Sequence, residues 1–139
     1  RGLGDVYKRQ IEDLNLNLDV LIIDDNSPDK TSDVIKEYSM RRKVLIGELS
    51  KINNIEFSDP MGAFYCMVKL PVQNAEDFSK FLLTDFSDQG QTLMLAPGQG
   101  FYSTPGIGKN EVRIAFVLET EKLIRAAQIL EKALEAYNQ

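Results

Sequence analysis

The sequence predicts an α/β chain of the α+β kind: two layers, with a small antiparallel or mixed sheet and helices on one face. Three observations carry this reading. From Asn53 onward the order of elements is strand, helix, strand, strand, helix. The connection from Gly98 to Gly108 is of hairpin length, which favours antiparallel neighbours with the helices to one side. The last helix carries a single apolar stripe that has to be covered by something apolar. At 139 residues, 43% apolar and 27% charged, with 7 Phe and 5 Tyr to fill a core, the chain is of single-domain size and has the composition of a folded protein.

Taken in order, Arg1 to Gln10 follow neither a strand period nor a helix period. This string resembles translated sequencing-adapter read-through, and residues 1–10 are set apart from the fold as an artefact-like tail. Leu18 to Ile23 is a short β-branched run closed by Asp24-Asp25-Asn26-Ser27-Pro28-Asp29, the pattern of a buried strand ending in a loop. A helix follows, with Thr31 or Ser32 as cap and Asp33 in its first turn. Val34, Tyr38, Leu45, Leu49 and Ile52 form its apolar stripe, which Arg41-Arg42-Lys43 interrupts in the manner of a junction.

Asn53-Asn54 ends that helix, and Ile55 to Phe57 with the turn residues Ser58, Asp59, Pro60 and Gly62 lead into a strand, Ala63 to Leu70. Alternation puts Phe64, Cys66, Val68 and Leu70 on one face and Ala63, Tyr65, Met67 and Lys69 on the other. Asn74 is a helix cap, followed by Glu76 and Asp77 in the first turn and by the stripe Phe78, Phe81, Leu82, Phe86. Thr92 to Ala96 and Val112 to Leu118 read as strands, the second alternating Ile114, Phe116 and Leu118 against Arg113, Ala115 and Val117. Thr120 caps a final helix in which Leu123, Ala127, Leu130, Leu134 and Tyr137 share one face.

The chain has no His, which removes Ser-His-Asp triads, Cys-His pairs and His-ligated zinc. The single Cys66 forms neither an internal disulfide nor a cysteine metal cluster, and no metal site is expected. A net charge of −5 argues against nucleic acid or anionic lipid as a partner. No run approaches the length of a membrane span and no signal peptide is seen, so no membrane is expected and the assigned compartment is the cytoplasm.

Four features carry possible chemistry. The segment Pro97 to Lys109 is rich in Gly and Pro, but a phosphate-binding loop of the Walker kind would need Gly at Ser103, Ser or Thr at Asn110 and a helix next, where a strand is predicted. A loop shaped for a ligand or an interface, or a plain connection, are both compatible with it. Arg113 stands in an otherwise apolar strand, and burying a guanidinium without an anionic partner is costly. Its partner is either Glu111, Glu119, a neighbouring strand or water at a sheet edge, or else a carboxylate ligand held by two parallel hydrogen bonds. Asp24, Asp25 and Asp29 form a carboxylate-rich loop, suited to a ribose or a divalent ion and equally to solvated turns before a helix. Cys66, flanked by Phe64 and Val68 on its face, is a packing residue and not a nucleophile.

Residues 38–139 resemble the C-terminal small domain of class I/II pyridoxal-phosphate aminotransferases of the aspartate aminotransferase type. The resemblance is carried by Pro60-Met-Gly-Ala-Phe-Tyr65, Ala75-Glu-Asp-Phe78, Ala96-Pro-Gly98, Gly100-Phe-Tyr-Ser-Thr-Pro-Gly106, Asn110-Glu-Val-Arg-Ile-Ala-Phe116 and the last helix. It implies the small-domain fold of fold-type I enzymes, and that Arg113 binds the α-carboxylate of an amino acid or 2-oxo acid substrate. Where Ala115 stands the family often has Ser. In this family the Schiff-base lysine, the acid facing the pyridine nitrogen, the tyrosine near the cofactor oxygen and the phosphate cup belong to a large domain that no segment here matches. The implied parent enzyme, usually homodimeric, uses pyridoxal phosphate, while this chain alone is expected to bind none and to be inactive.

Within a segment 11–37, the stretch from Leu18 through Thr31 to about Glu37 resembles the nucleotide-binding strand and loop of family 2 glycosyltransferases, with Asp24 and Asp25 matching acids that contact the nucleotide. The family's later metal-binding acids and catalytic base are absent. The three parts together imply a chimeric reading frame joined between Glu37 and Arg42. The leading expectation is therefore a fragment of an aminotransferase. The alternatives are a sugar-nucleotide-binding glycosyltransferase fragment and a non-catalytic interaction domain with exposed apolar surface.

Overall fold

Helix α1 runs Thr31–Leu49 in a computed structural model that describes residues 31–139, of which Val34–Gln139 form one compact unit. The tail, the Leu18 to Ile23 run and the Asp24-Asp25 loop lie outside the described residues. Thr31 and Ser32 already lie within α1 and do not flank it as caps, while Asp33 sits in its first turn as expected. The helix is continuous across residues 37–42, where the sequence places a junction.

Only the second half of the expected stripe is core: Leu45 and Leu49 are buried, whereas Val34 is 50% exposed. The basic run that interrupts the stripe has a packing use instead. Arg41 donates to the Val117 carbonyl and pairs with Glu37. Arg42 donates to the Pro60 carbonyl at 2.5 Å and pairs with Asp59 at 2.6 Å, so both side chains tie α1 to loops that follow β-strands. The helix ends at Leu49, ahead of the expected break, and Asn54 completes the turn in the left-handed region at φ 61°.

Four short strands follow, β1 (Glu56–Phe57), β2 (Tyr65–Lys69), β3 (Ala96–Pro97) and β4 (Glu111–Ala115). They form one sheet in the order β1-β2-β4-β3 with every pairing antiparallel. The centre is the β2–β4 ladder, in which Met67 lies opposite Arg113 and Val68 opposite Val112. Three sequence boundaries change. Ala63 adopts φ 58° and Phe64 is 53% exposed, so neither joins its expected face and β2 begins at Tyr65. The strand expected over Thr92 to Ala96 shrinks to Ala96–Pro97, with Met94 exposed. β4 stops at Ala115, which leaves Val117 and Leu118 exposed although Phe116 stays buried.

Helix α2 (Ala75–Thr84) forms as its sequence dictates: the Asn74 side chain accepts a hydrogen bond from the Glu76 amide at 2.9 Å, satisfying one of the unpaired amides of the first turn. Phe86 lies just beyond its end. Helix α3 (Thr120–Tyr137) begins at Thr120 itself, with Glu119 at the cap position and no side-chain capping bond, so Thr120 is the first helical residue and not the cap. Cys66, Val68, Val112 and Phe116 meet Leu45 and Leu49 of α1, Phe78 and Leu82 of α2, and Leu123, Leu130 and Leu134 of α3 in one core. One sheet face is thereby covered by helices. The other, carrying Tyr65, Met67, Lys69, Glu111, Arg113 and Ala115, is left for the loops.

The Ser79 hydroxyl is buried with no hydrogen-bond partner among the described residues. Ser79→Ala removes a desolvated, unpaired group and is expected to leave stability unchanged or raise it by up to about 1 kcal/mol in urea denaturation. A measured loss would show that the hydroxyl has a partner in solution. Asp88 accepts from Lys132 at 3.0 Å and pairs with Arg125 at 2.7 Å, while Arg125 also donates to the Asp88 carbonyl at 3.0 Å.

The hydrogen bond from Lys132, followed by that from Arg125, holds the Asp88 carboxyl below its ordinary value. A carboxyl lowered in the folded state stabilises the fold above its unfolded pKa, and loses that contribution as pH falls through the folded one. Asp88→Asn should therefore flatten the acid limb of the stability profile below about pH 4. Identical limbs for both proteins would remove Asp88 from the acid response.

Candidate functional site

The open sheet face gathers around Arg113, at the middle of β4 with Met67 of β2 on one side and Ala96 of β3 on the other. Period-two alternation turns its side chain away from the core that Val112 enters. The residue is half-buried. Its guanidinium lies 4.3 Å from the centre of the Phe101 ring and 5.1 Å from that of Tyr65. Among the described residues it pairs with no carboxylate, and both sequence-expected partners are engaged elsewhere. Glu111 accepts from the Tyr102 hydroxyl at 2.5 Å, and Glu119 pairs with Lys122 at 3.1 Å.

The loop that brings Phe101 over Arg113 is shaped by close backbone approach. The Gly98 amide donates to the Glu111 carbonyl at 2.6 Å, and a Cβ at Gly98 would stand 2.8 Å from the Glu111 Cβ. A single 3-10 turn, Gln99–Phe101, follows. Tyr102 then lies across Gly108, where φ is 74° and a Cβ would come within 2.5 Å of the Tyr102 ring. The glycines of this loop thus let two aromatic rings seat on the sheet. Glu111 also pushes the Tyr102 hydroxyl above its ordinary pKa, chiefly by accepting its hydrogen bond.

Electrostatically, the arrangement is a cation whose rings satisfy it in part. Aromatic faces attract a guanidinium, by about 0.5–1 kcal/mol at exposed sites and more when water is excluded. They do not use its N–H donors, which remain suited to an incoming carboxylate fork. Cys66, by contrast, is 4% exposed in the core. Burial, and then the negative charge of Asp59, pushes its thiol up to about 11, which keeps it protonated and inert at neutral pH. Asp24 and Asp25, the alternative nucleotide contacts, lie outside the described residues. Among the described residues no group of three His, Cys, Asp or Glu side chains is placed to hold a metal, and no helix is long and apolar enough to cross a membrane.

The rings of Tyr65 and Phe101 were not legible as partners of Arg113. Tyr65 reads simply as the outward position of a strand, and Phe101 as a bulky residue in a glycine-rich loop. The signal that could have found them is composition: two consecutive aromatics, Phe101-Tyr102, inside a stretch otherwise made for turns.

No protein-family model matches the chain. Its curated relatives are aminotransferases, and they align with the C-terminal part. It is 34% identical over 102 residues to an aspartate aminotransferase of Pyrococcus horikoshii, a span covering 72% of this chain and 24% of the relative. It is 27% identical over 109 residues to a probable aspartate/prephenate aminotransferase of Aquifex aeolicus, covering 78% of this chain and 26% of the relative. Among solved structures, an aspartate aminotransferase from Rhodobacter sphaeroides superposes with a TM-score of 0.68 at 22% identity, over 83% of this chain and 28% of that one, a likeness of fold. The chain spans about a quarter of the length of the curated relatives it matches. The small antiparallel sheet and three helices of the described residues make an α+β fold shared with aminotransferases.

Proposed function

We propose that residues 34–139 are the substrate-carboxylate-binding unit of a pyridoxal-phosphate-dependent aminotransferase, an enzyme that moves an amino group between an amino acid and a 2-oxo acid. One observation carries the proposal. Arg113 is half-buried, flanked by two rings and unpaired with any carboxylate among the described residues, so its donors are kept for an anion from outside. In this reading the guanidinium accepts the substrate carboxylate bidentately and fixes its orientation. The similarity to aminotransferases over the same stretch supports the assignment of substrate class.

The described residues do not themselves fit the cofactor. A lysine that forms an imine has to be desolvated or set beside another cation to be nucleophilic. Every lysine among the described residues is exposed, and Lys51, Lys69, Lys122 and Lys132 are tied to Glu48, Glu56, Glu119 and Asp88. Imine chemistry and pyridoxal phosphate are therefore assigned to the large domain of the parent enzyme, with homodimeric assembly, and this unit contributes substrate binding.

The test is a titration of the isotope-labelled full chain with 2-oxoglutarate at constant ionic strength. Saturable shifts centred on the Arg113 side chain and the amides of β4 are expected. Shifts spread evenly over surface lysines, or matched by chloride alone, would contradict the reading.

A further inference from the structure

The way Arg113 is held carries a second residue into the site. A guanidinium on a flexible stem has several rotatable bonds, and its bidentate use demands one orientation. Nothing ionic supplies that orientation, because among the described residues no carboxylate reaches Arg113. What lies against it is the Phe101 ring at 4.3 Å and the Tyr65 ring at 5.1 Å. Phe101 in turn is not loosely placed. Its amide donates to the Gly98 carbonyl at 2.9 Å, and the next residue is fastened to β4 by the Tyr102 hydroxyl to Glu111. That last bond also occupies the carboxylate that stands two residues from Arg113 on the same face and would otherwise compete for it.

We propose that Phe101, backed by Tyr65, is a positioning residue that fixes the plane of the Arg113 guanidinium, and that the Tyr102–Glu111 bond keeps the neighbouring carboxylate away from it. The inference deepens the carboxylate-binding reading and rests on it for its consequence, though the orientation of Arg113 can be measured without any ligand. Half the Phe101 surface is exposed, so its replacement leaves the core and the fold intact.

The experiment follows the Arg113 Nε–Hε group by relaxation measurements in the full chain, for the unsubstituted protein, Phe101→Leu and Phe101→Tyr, each then titrated with 2-oxoglutarate. In the unsubstituted chain this group should be as ordered as the backbone and displaced by the ring current of Phe101. In Phe101→Leu the order and the displacement should both be lost, and 2-oxoglutarate should bind about two- to fivefold more weakly, the loss of one ring contact. Phe101→Tyr should restore all three.

An equally ordered Arg113 in Phe101→Leu overturns the proposal, as does an affinity unchanged despite lost order. If the unsubstituted chain binds no 2-oxoglutarate while Phe101→Leu still releases Arg113, the carboxylate reading fails and the positioning role of Phe101 stands.

Discussion

Phe78→Ala is expected to lower the unfolding free energy by about 3–5 kcal/mol, the range for emptying an aromatic side chain from a closed core. Phe78 is fully buried. Its ring meets Tyr137 of α3 edge-on at 5.2 Å and stacks with Phe81 at 6.3 Å, and Phe81 in turn lies 5.1 Å from Tyr137. These rings join α2 to the end of α3, so a truncation removes transfer energy and aromatic contacts from both helices at once. Domains of this kind have only about 5–15 kcal/mol in total, and the substitution should be visible as a large drop in Tm and in the urea midpoint. Phe78 belongs to the helical side of the sheet, away from Arg113, so the folded fraction should keep its affinity for 2-oxoglutarate. A loss below about 1 kcal/mol would mean that α2 is not seated on the core as described.

Local signals read well and long-range ones poorly. Asn74 followed by Glu76 and Asp77 announces the start of α2 because a cap bond spans two residues, and Leu123, Ala127, Leu130 and Leu134 announce the inner face of α3 because that spacing repeats every turn. Boundaries slipped where tertiary context decides. Val117 and Leu118 continue the apolar pattern of β4, but pairing with β2 stops at Ala115, opposite Tyr65. Thr120 has the chemistry of a cap, yet the chain turns one residue earlier.

The basic run Arg41-Arg42-Lys43 looked like an interruption in α1, because its use lies in loops far along the chain, at Val117 and Asp59. The site shows the same division. That Arg113 needs a partner follows from one charged residue in an apolar strand. That the partners would be rings, and that Glu111 would be drawn off by Tyr102, depends on how the loop from Gly98 to Gly108 folds back.

The second large effect concerns Arg113 itself. Arg113→Lys keeps the positive charge and removes the planar fork, and an ammonium offers a carboxylate one contact where a guanidinium offers two parallel ones. A hydrogen bond between charged partners contributes about 1.5–3 kcal/mol, so binding of a 2-oxo acid should weaken by about one to two orders of magnitude. Lysine also forfeits stacking on Phe101, whereas the fold should be untouched, because the side chain lies on the open sheet face outside the core.

The most direct measurement is the affinity of the full chain for 2-oxoglutarate, compared between the unsubstituted protein and Arg113→Lys at equal ionic strength, with urea midpoints taken alongside. A carboxylate-binding role for Arg113 predicts unchanged midpoints and at least a tenfold weaker affinity for the variant, by the loss of one charged hydrogen bond. Equal affinities would contradict it, and would remove Arg113 from the substrate site.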